Sequence, residues 1–348
     1  METKDTQSFY VGTYTDGASE GIYKYALHSD GSISPIGLAV KSENPSFLAM
    51  SADRDFLIAI NEVKNKDDVG SVESYLISND TLKLLKRRSS GGAHPCFVAV
   101  NASGDVLTAN YTGGNVGFLQ LGPEGQLSEL LDVQQHEGQG TTERQTAPHA
   151  HSAWFNPVDG GIIAVDLGTN ELWFSTLDAE SKKLIPAAEQ KLAMGPGDGP
   201  RHLTFHPNGK WIYVVNELSS SVTRLDRNAD GIYSMGPSAS TLPAGYTEPN
   251  TCADIRISSD GQFVYASNRG HNSIAVFKVN EDGSLKLLGN KGCGGEGPRN
   301  FALSPDENYI LVANQHTNNI VTLKRNMTTG LLKYVSQIEA PTPVCIIF

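Results

Sequence analysis

Charged side chains recur in this sequence at the tips of short apolar strands, where packing alone gives no reason for them. His149 and His151 sit in Pro148-His149-Ala150-His151-Ser152, and Arg201 and His202 in Gly199-Pro200-Arg201-His202. Glu217 follows Val215-Asn216, Arg269 follows Ser267-Asn268, and Arg299 stands in Gly297-Pro298-Arg299. Histidine moves protons near neutral pH. Arginine holds carboxylate or phosphate and steadies a developing oxyanion. No G-x-S-x-G elbow or H-E-x-x-H pair exists, which argues against a serine hydrolase or a zincin. The stretch Gly292-Cys293-Gly294-Gly295-Glu296-Gly297 precedes a strand and not a helix, so it lacks phosphate-cradling geometry.

What must position these residues is a repeat. A short apolar strand and a turn, Gly199-Pro200-Arg201-His202-Leu203-Thr204-Phe205-His206-Pro207-Asn208-Gly209, leads into Trp211-Ile212-Tyr213-Val214-Val215-Asn216-Glu217. The pair returns as Pro45–Met50 with Leu57–Glu62 and as Gly297–Asp306 with Tyr309–Asn314. The polar residue closing the second strand falls at Asn61, Asn110, Asp166, Asn216, Asn268 and Asn314, every 46–56 residues. That period fits a four-stranded blade. Seven hairpins follow, opening near Gly21, Ser71, Asn115, Asn170, Ser221, Ser273 and Asn319, several with Asp-Gly turns.

Only six complete leading pairs serve those seven hairpins. The seventh is assembled from both ends: Phe9–Thr13 matches a second strand and Val344–Phe348 a first. The fold expected is therefore an all-β, seven-bladed β-propeller, one domain over residues 1–348, closed by pairing of the terminal strands. Residues 1–7 read as a flexible tail.

In a propeller the start of the first strand and the end of the second meet at one mouth of the central channel. Aligning blades places Ser46, Cys96, His151, Arg201, Ala253 and Arg299 in one register. Two residues earlier, on the same side by the period of a strand, lie Asn44, His94, His149, Gly199, Thr251 and Gly297. After the second-strand polar residue come Glu62, Tyr111, Leu167, Glu217, Arg269 and Gln315. His151, Arg201, Glu217 and Arg269 read as functional. His94 reads equally as a strand cap, Glu62 as a solvated loop acid, and His202 with Asp254 as backbone caps. His206 belongs to a turn, and one of Arg201 and Arg299 could simply bridge blades.

The bulk numbers bound the partners. A net charge of -11 excludes a broad basic face for nucleic acid or an anionic membrane. The four cysteines share no C-x-x-C spacing, the N-terminus has no apolar leader, and no apolar run is long enough to span a membrane, so a cytoplasmic location is expected.

The motifs quoted first, with Phe9-Tyr10-Val11-Gly12-Thr13-Tyr14, resemble those of the lactonase seven-bladed propeller family, which includes 6-phosphogluconolactonases and carboxy-cis,cis-muconate lactonizing enzymes. The resemblance implies a lactone hydrolase acting on a sugar lactone, with no cofactor and no metal. Its motifs carry over onto His151, Glu217, Arg201 and Arg269 as catalytic residues. His149, the departure from the family's single histidine, joins His94, Arg299, Glu62 and His202 as substrate-binding candidates. The expected partner is a small anionic lactone, bound by a monomer or a homodimer. Alternatives are a muconate-type cycloisomerase, a calcium lactonase using Glu62, Glu217 and Asn216, and a non-catalytic binding propeller.

Overall fold

The computed structural model describes residues 6–65 and 67–348. Among these, the chain forms seven four-stranded antiparallel sheets. Taken round the ring from the blade that holds both chain ends, their innermost strands are Pro343–Ile347, Leu48–Met50, Pro95–Val100, Ala150–Phe155, Pro200–Phe205, Thr251–Ile257 and Pro298–Leu303, numbered here as blades 1 to 7. Each innermost strand packs against those of both neighbouring blades, so the ring is complete. The seven-bladed propeller read from the repeat is the architecture observed.

The strands form where the sequence is β-branched and aromatic, and their place in the blade sets how continuous that pattern is. Second strands such as Tyr309–Asn314 are buried throughout, because both faces are covered by neighbouring blades. Outer strands such as Lys183–Ala193 are mostly exposed. Seven apolar clusters fill the seven blade interfaces, each drawing on two adjacent blades.

Closure uses both ends of the chain. In blade 1 Tyr10 pairs with Ile347, Val11 with Ile346 and Gly12 with Cys345. Gly12 is required there: a Cβ would stand 2.4 Å from the Pro45 carbonyl oxygen of the lead-in to blade 2. The tail expected over residues 1–7 needs correction. Residues 1–5 lie outside the described residues, but Thr6 and Gln7 already belong to the second strand of blade 1 and pair with His28 and Leu27 of its third strand, Gly21–His28.

One irregularity prepares the site. Where first and second strands pair, the register slips by one residue between Pro95 and Phe97, Ala150 and Ser152, Pro200 and His202, and Pro298 and Asn300. The residue left without a partner is Cys96, His151, Arg201 or Arg299. A β-bulge re-aims the extra side chain out of the alternating pattern. Four blades thus present a chosen residue at the same height of the channel.

Candidate active site

A polar cavity of about 330 Å³ opens at this mouth, lined by Tyr14, Glu62, Cys96, Tyr111, Arg144, His151, Glu217, Thr251, Arg269 and Arg299. Eight of these come from the two expected registers, the bulge residues and the residues that follow the second strands. Tyr14 is the member from blade 1, following Thr13 as Glu62 follows Asn61. The main chain holds the two registers together. The amides of Glu62, Tyr111, Glu217 and Gln315 donate to the carbonyls of Asn44, His94, Gly199 and Gly297.

Glu217 organises the cavity. Its Oε2 lies 2.9 Å from a terminal nitrogen of Arg269 and 3.2 Å from Arg201 Nε. Its Oε1 accepts from Arg144 Nη2 at 3.2 Å. The Arg201 contact is an ion pair without hydrogen-bond alignment. Arg201 is fixed instead through Nη1, which donates to the Ala253 carbonyl at 2.5 Å, while Arg269 donates to the Cys252 carbonyl at 2.8 Å. Burial alone would raise the Glu217 carboxyl, but Arg269, Arg201 and Arg144 outweigh it and hold it at about 2. Burial, with Arg269 and Arg299 nearby, lowers Arg201 to about 10, so it stays charged at neutral pH.

His151 is 4% exposed. Burial first, and then Arg201, His202 and Arg299, depress its imidazole well below the ordinary value. It is therefore neutral at pH 7. Its Nδ1 sits 3.5 Å from the Cys96 sulfur, which also lies 3.5 Å from the His151 carbonyl. Burial drives the Cys96 thiol far upward, so it is no nucleophile. Glu217 does not touch the imidazole, so it does not orient His151.

On the other wall Glu62 Oε2 accepts from Tyr14 Oη at 2.7 Å and from Ser46 Oγ. Arg299 stands 4.0 Å from Glu62 and over the Tyr14 ring. Burial disfavours its charge, but Tyr14 and Glu62 outweigh that and raise it.

Three expected ligands of substrate lie elsewhere. His94 adopts a left-handed φ of 49° and turns to Thr112 Oγ1 at 2.9 Å. His149 stacks on Tyr111 with ring centroids 4.4 Å apart, its Nδ1 against the Tyr111 carbonyl. It walls the site from behind. His202 is buried below the cavity, with Nδ1 3.0 Å from Asp254 Oδ1, and burial, with Arg201 beside it, lowers it to about 3. Asp254 also accepts from Asn300 Nδ2 at 2.6 Å and pairs with Arg256. This belt caps the lower side of the cavity, and the larger funnel of about 590 Å³ at the far ends of the inner strands is apolar, with Arg256 its one charged lining residue. Arg256 is already committed to Asp254.

Arg144 was not foreseen. It comes from the loop between Asp132–Gln135 and Ala150–Phe155, and no periodicity marks a loop residue that reaches 73 positions along the chain. Nor does the donor set suit the calcium reading. Glu217 is taken up by arginines, whose charge would repel a cation, and Glu62 already accepts from Tyr14 and Ser46. Among the described residues no three His, Cys, Asp or Glu side chains converge as metal ligands.

A closed seven-bladed ring with a bulge-presented histidine and arginines at one mouth defines the class, and the chain belongs to the lactonase family of seven-bladed β-propellers, whose model matches residues 8–348. It is 36% identical over 346 residues to a 6-phosphogluconolactonase of Bacillus subtilis (strain 168), covering 97% of each chain. A 6-phosphogluconolactonase of Formosa agariphila is 32% identical, covering 94% of this chain and 95% of that one. Among solved structures, the periplasmic gluconolactonase of Pseudomonas aeruginosa superimposes with a TM-score of 0.93 at 29% identity, covering 99% of each chain. These relatives are named as hydrolases of lactones. Among the described residues no helix is long and apolar enough to cross a membrane.

Proposed function

We propose that this protein hydrolyses a sugar lactone, 6-phosphogluconolactone being the leading substrate, and that His151, Arg201, Arg269 and Glu217 carry the reaction. One observation supports this above the others: a neutral imidazole is held beside a set of arginines anchored on one buried carboxylate. On this reading Nδ1 carries the imidazole proton, facing the Cys96 sulfur at 3.5 Å, and the lone pair of Nε2 serves the cavity.

His151 takes a proton from water as the water oxygen bonds to the lactone carbonyl carbon. Arg201 and Arg269 stabilise the oxyanion that forms. As that oxyanion collapses, the bond from the carbonyl carbon to the ring oxygen breaks and the imidazolium returns its proton to the leaving oxygen. The product is the open-chain acid, whose carboxyl proton goes to solvent. Glu217 keeps both guanidiniums in place and charged. With a pKa near 2 it is too weak a base to share the work of His151. A negatively charged substrate offsets the arginines and raises the imidazole toward a useful basicity.

The four cysteines are unpaired and buried, a usage that fits a cytoplasmic enzyme. The test follows hydrolysis of freshly prepared 6-phosphogluconolactone against its spontaneous rate, with and without chelator. Acceleration that survives the chelator is expected. No acceleration of this lactone or of gluconolactone would refute the hydrolase reading.

A further inference from the structure

The cavity carries charge of the opposite sign to the protein around it. Arg144, Arg269 and Arg299 line it with Glu62 and Glu217, and Arg201, buried against Glu217 outside the lining, brings the excess to two positive charges on a chain whose net charge is -11. A phosphate monoester brings close to two negative charges at neutral pH. An unphosphorylated sugar lactone brings none.

The four arginines differ in how firmly they are committed. Arg201 and Arg269 are tied to backbone carbonyls of blade 6. Arg299 is half-buried against Tyr14 and Glu62. Arg144 has only the Tyr111 hydroxyl at 3.1 Å and Glu217 Oε1 at 3.2 Å, and its side chain is 54% exposed. Its main chain is nevertheless fixed. The neighbouring Gln145 is fully buried, donating to the Leu167 carbonyl at 2.8 Å and Asn170 Oδ1 at 3.0 Å while accepting from the Thr141 and Thr142 amides. A rigid base thus carries a solvated, exchangeable guanidinium at the rim. Glu217 keeps two arginines if Arg144 leaves.

We propose that Arg144 exchanges the Glu217 carboxylate for the phosphate of a phosphorylated sugar lactone, and so sets the preference of this site for phosphorylated over unphosphorylated substrates. The assignment rests on the sugar-lactone reading of the same cavity. On it, Arg144 is a binding and specificity residue, remote from the bond that breaks.

Titration calorimetry with 6-phosphogluconate and with gluconate tests this on the full-length protein, on Arg144→Gln and on Arg144→Lys. The wild-type protein is expected to bind 6-phosphogluconate at least about ten-fold more tightly than gluconate, since phosphate gains charge-assisted hydrogen bonds. Arg144→Gln should lose about ten-fold or more for 6-phosphogluconate and collapse that ratio, and Arg144→Lys, which keeps the charge without the fork, should restore part of it. An unchanged ratio in Arg144→Gln, or a wild-type protein without the preference, overturns the proposal. If the preference and its loss in Arg144→Gln are seen but neither lactone is hydrolysed, the phosphate assignment stands and the hydrolase reading alone fails.

Discussion

Replacing Glu217 with glutamine keeps the shape of the side chain and removes the charge on which three arginines converge. In the folded protein burial pushes this carboxyl up, Arg269, Arg201 and Arg144 push it down, and the result is about 2 against an ordinary 4.5. A gap of about 2.5 pH units, at about 1.36 kcal/mol each, is on the order of 3 kcal/mol of stabilisation at neutral pH. The cost of breaking a buried ion pair, about 3–5 kcal/mol, gives the same scale independently. With an unfolding entropy of about 2.1 cal/mol/K per residue over 348 residues, the expected loss in Tm is about 4 °C.

The sign with pH follows from the depressed value. Stabilisation is fully present above about pH 4.5 and is lost as pH falls toward about 2. Glu217→Gln should therefore melt about 4 °C below the parent at neutral pH, with more than half of that gap closed by about pH 3. Scanning calorimetry of both proteins at several pH values between these limits reads the gap directly. Equal melting temperatures at neutral pH, or a gap that ignores pH, would show that the carboxylate is not the anchor described.

Three further outcomes follow from the same geometry. His151→Ala should lower kcat by about 10²–10⁴, and the wild-type kcat/KM should stay level down through pH 6.5, because a depressed imidazole remains neutral there; a fall centred at or above 6.5 would contradict this. Arg201→Met should cut kcat/KM by about 10²–10³ in steady-state assays while far-ultraviolet circular dichroism stays unchanged, and a near-parental rate would remove Arg201 from the oxyanion site. Thiol alkylation at neutral pH should leave activity intact, since burial keeps the Cys96 thiol protonated; rapid inactivation accompanied by Cys96 labelling would count against it.

Much of this was legible before any coordinates. The recurrence of strand, turn and closing asparagine exposed the blades because turn chemistry and strand period are local properties. The split terminal blade followed from counting hairpins against leading strands. Aligning the repeats also brought His151, Arg201, Glu217, Arg269, Glu62 and Arg299 to one mouth. Two positions earlier the same alignment brought Thr251 alone of its register to the cavity lining. There the period of two assumes extended backbone, whereas Asn44, His94, Gly199 and Gly297 all have positive φ. The chain turns at these positions and uses their carbonyls as anchors. His94 is thereby aimed away from the channel.

What the sequence determined by itself was the set of strands, their ring and the registers that meet at the mouth, since each rests on neighbours within one repeat. Only the tertiary structure decided which of those side chains share a cavity and in what charge state. The bulges that project His151 and Arg201 exist in the pairing of strands, not in either strand alone. Arg144 enters from a loop that carries no period, and Glu217 is held so strongly acidic because Arg144 and Arg269, from elsewhere in the chain, join Arg201 of its own blade around it. Long-range electrostatics of that kind has no local signature.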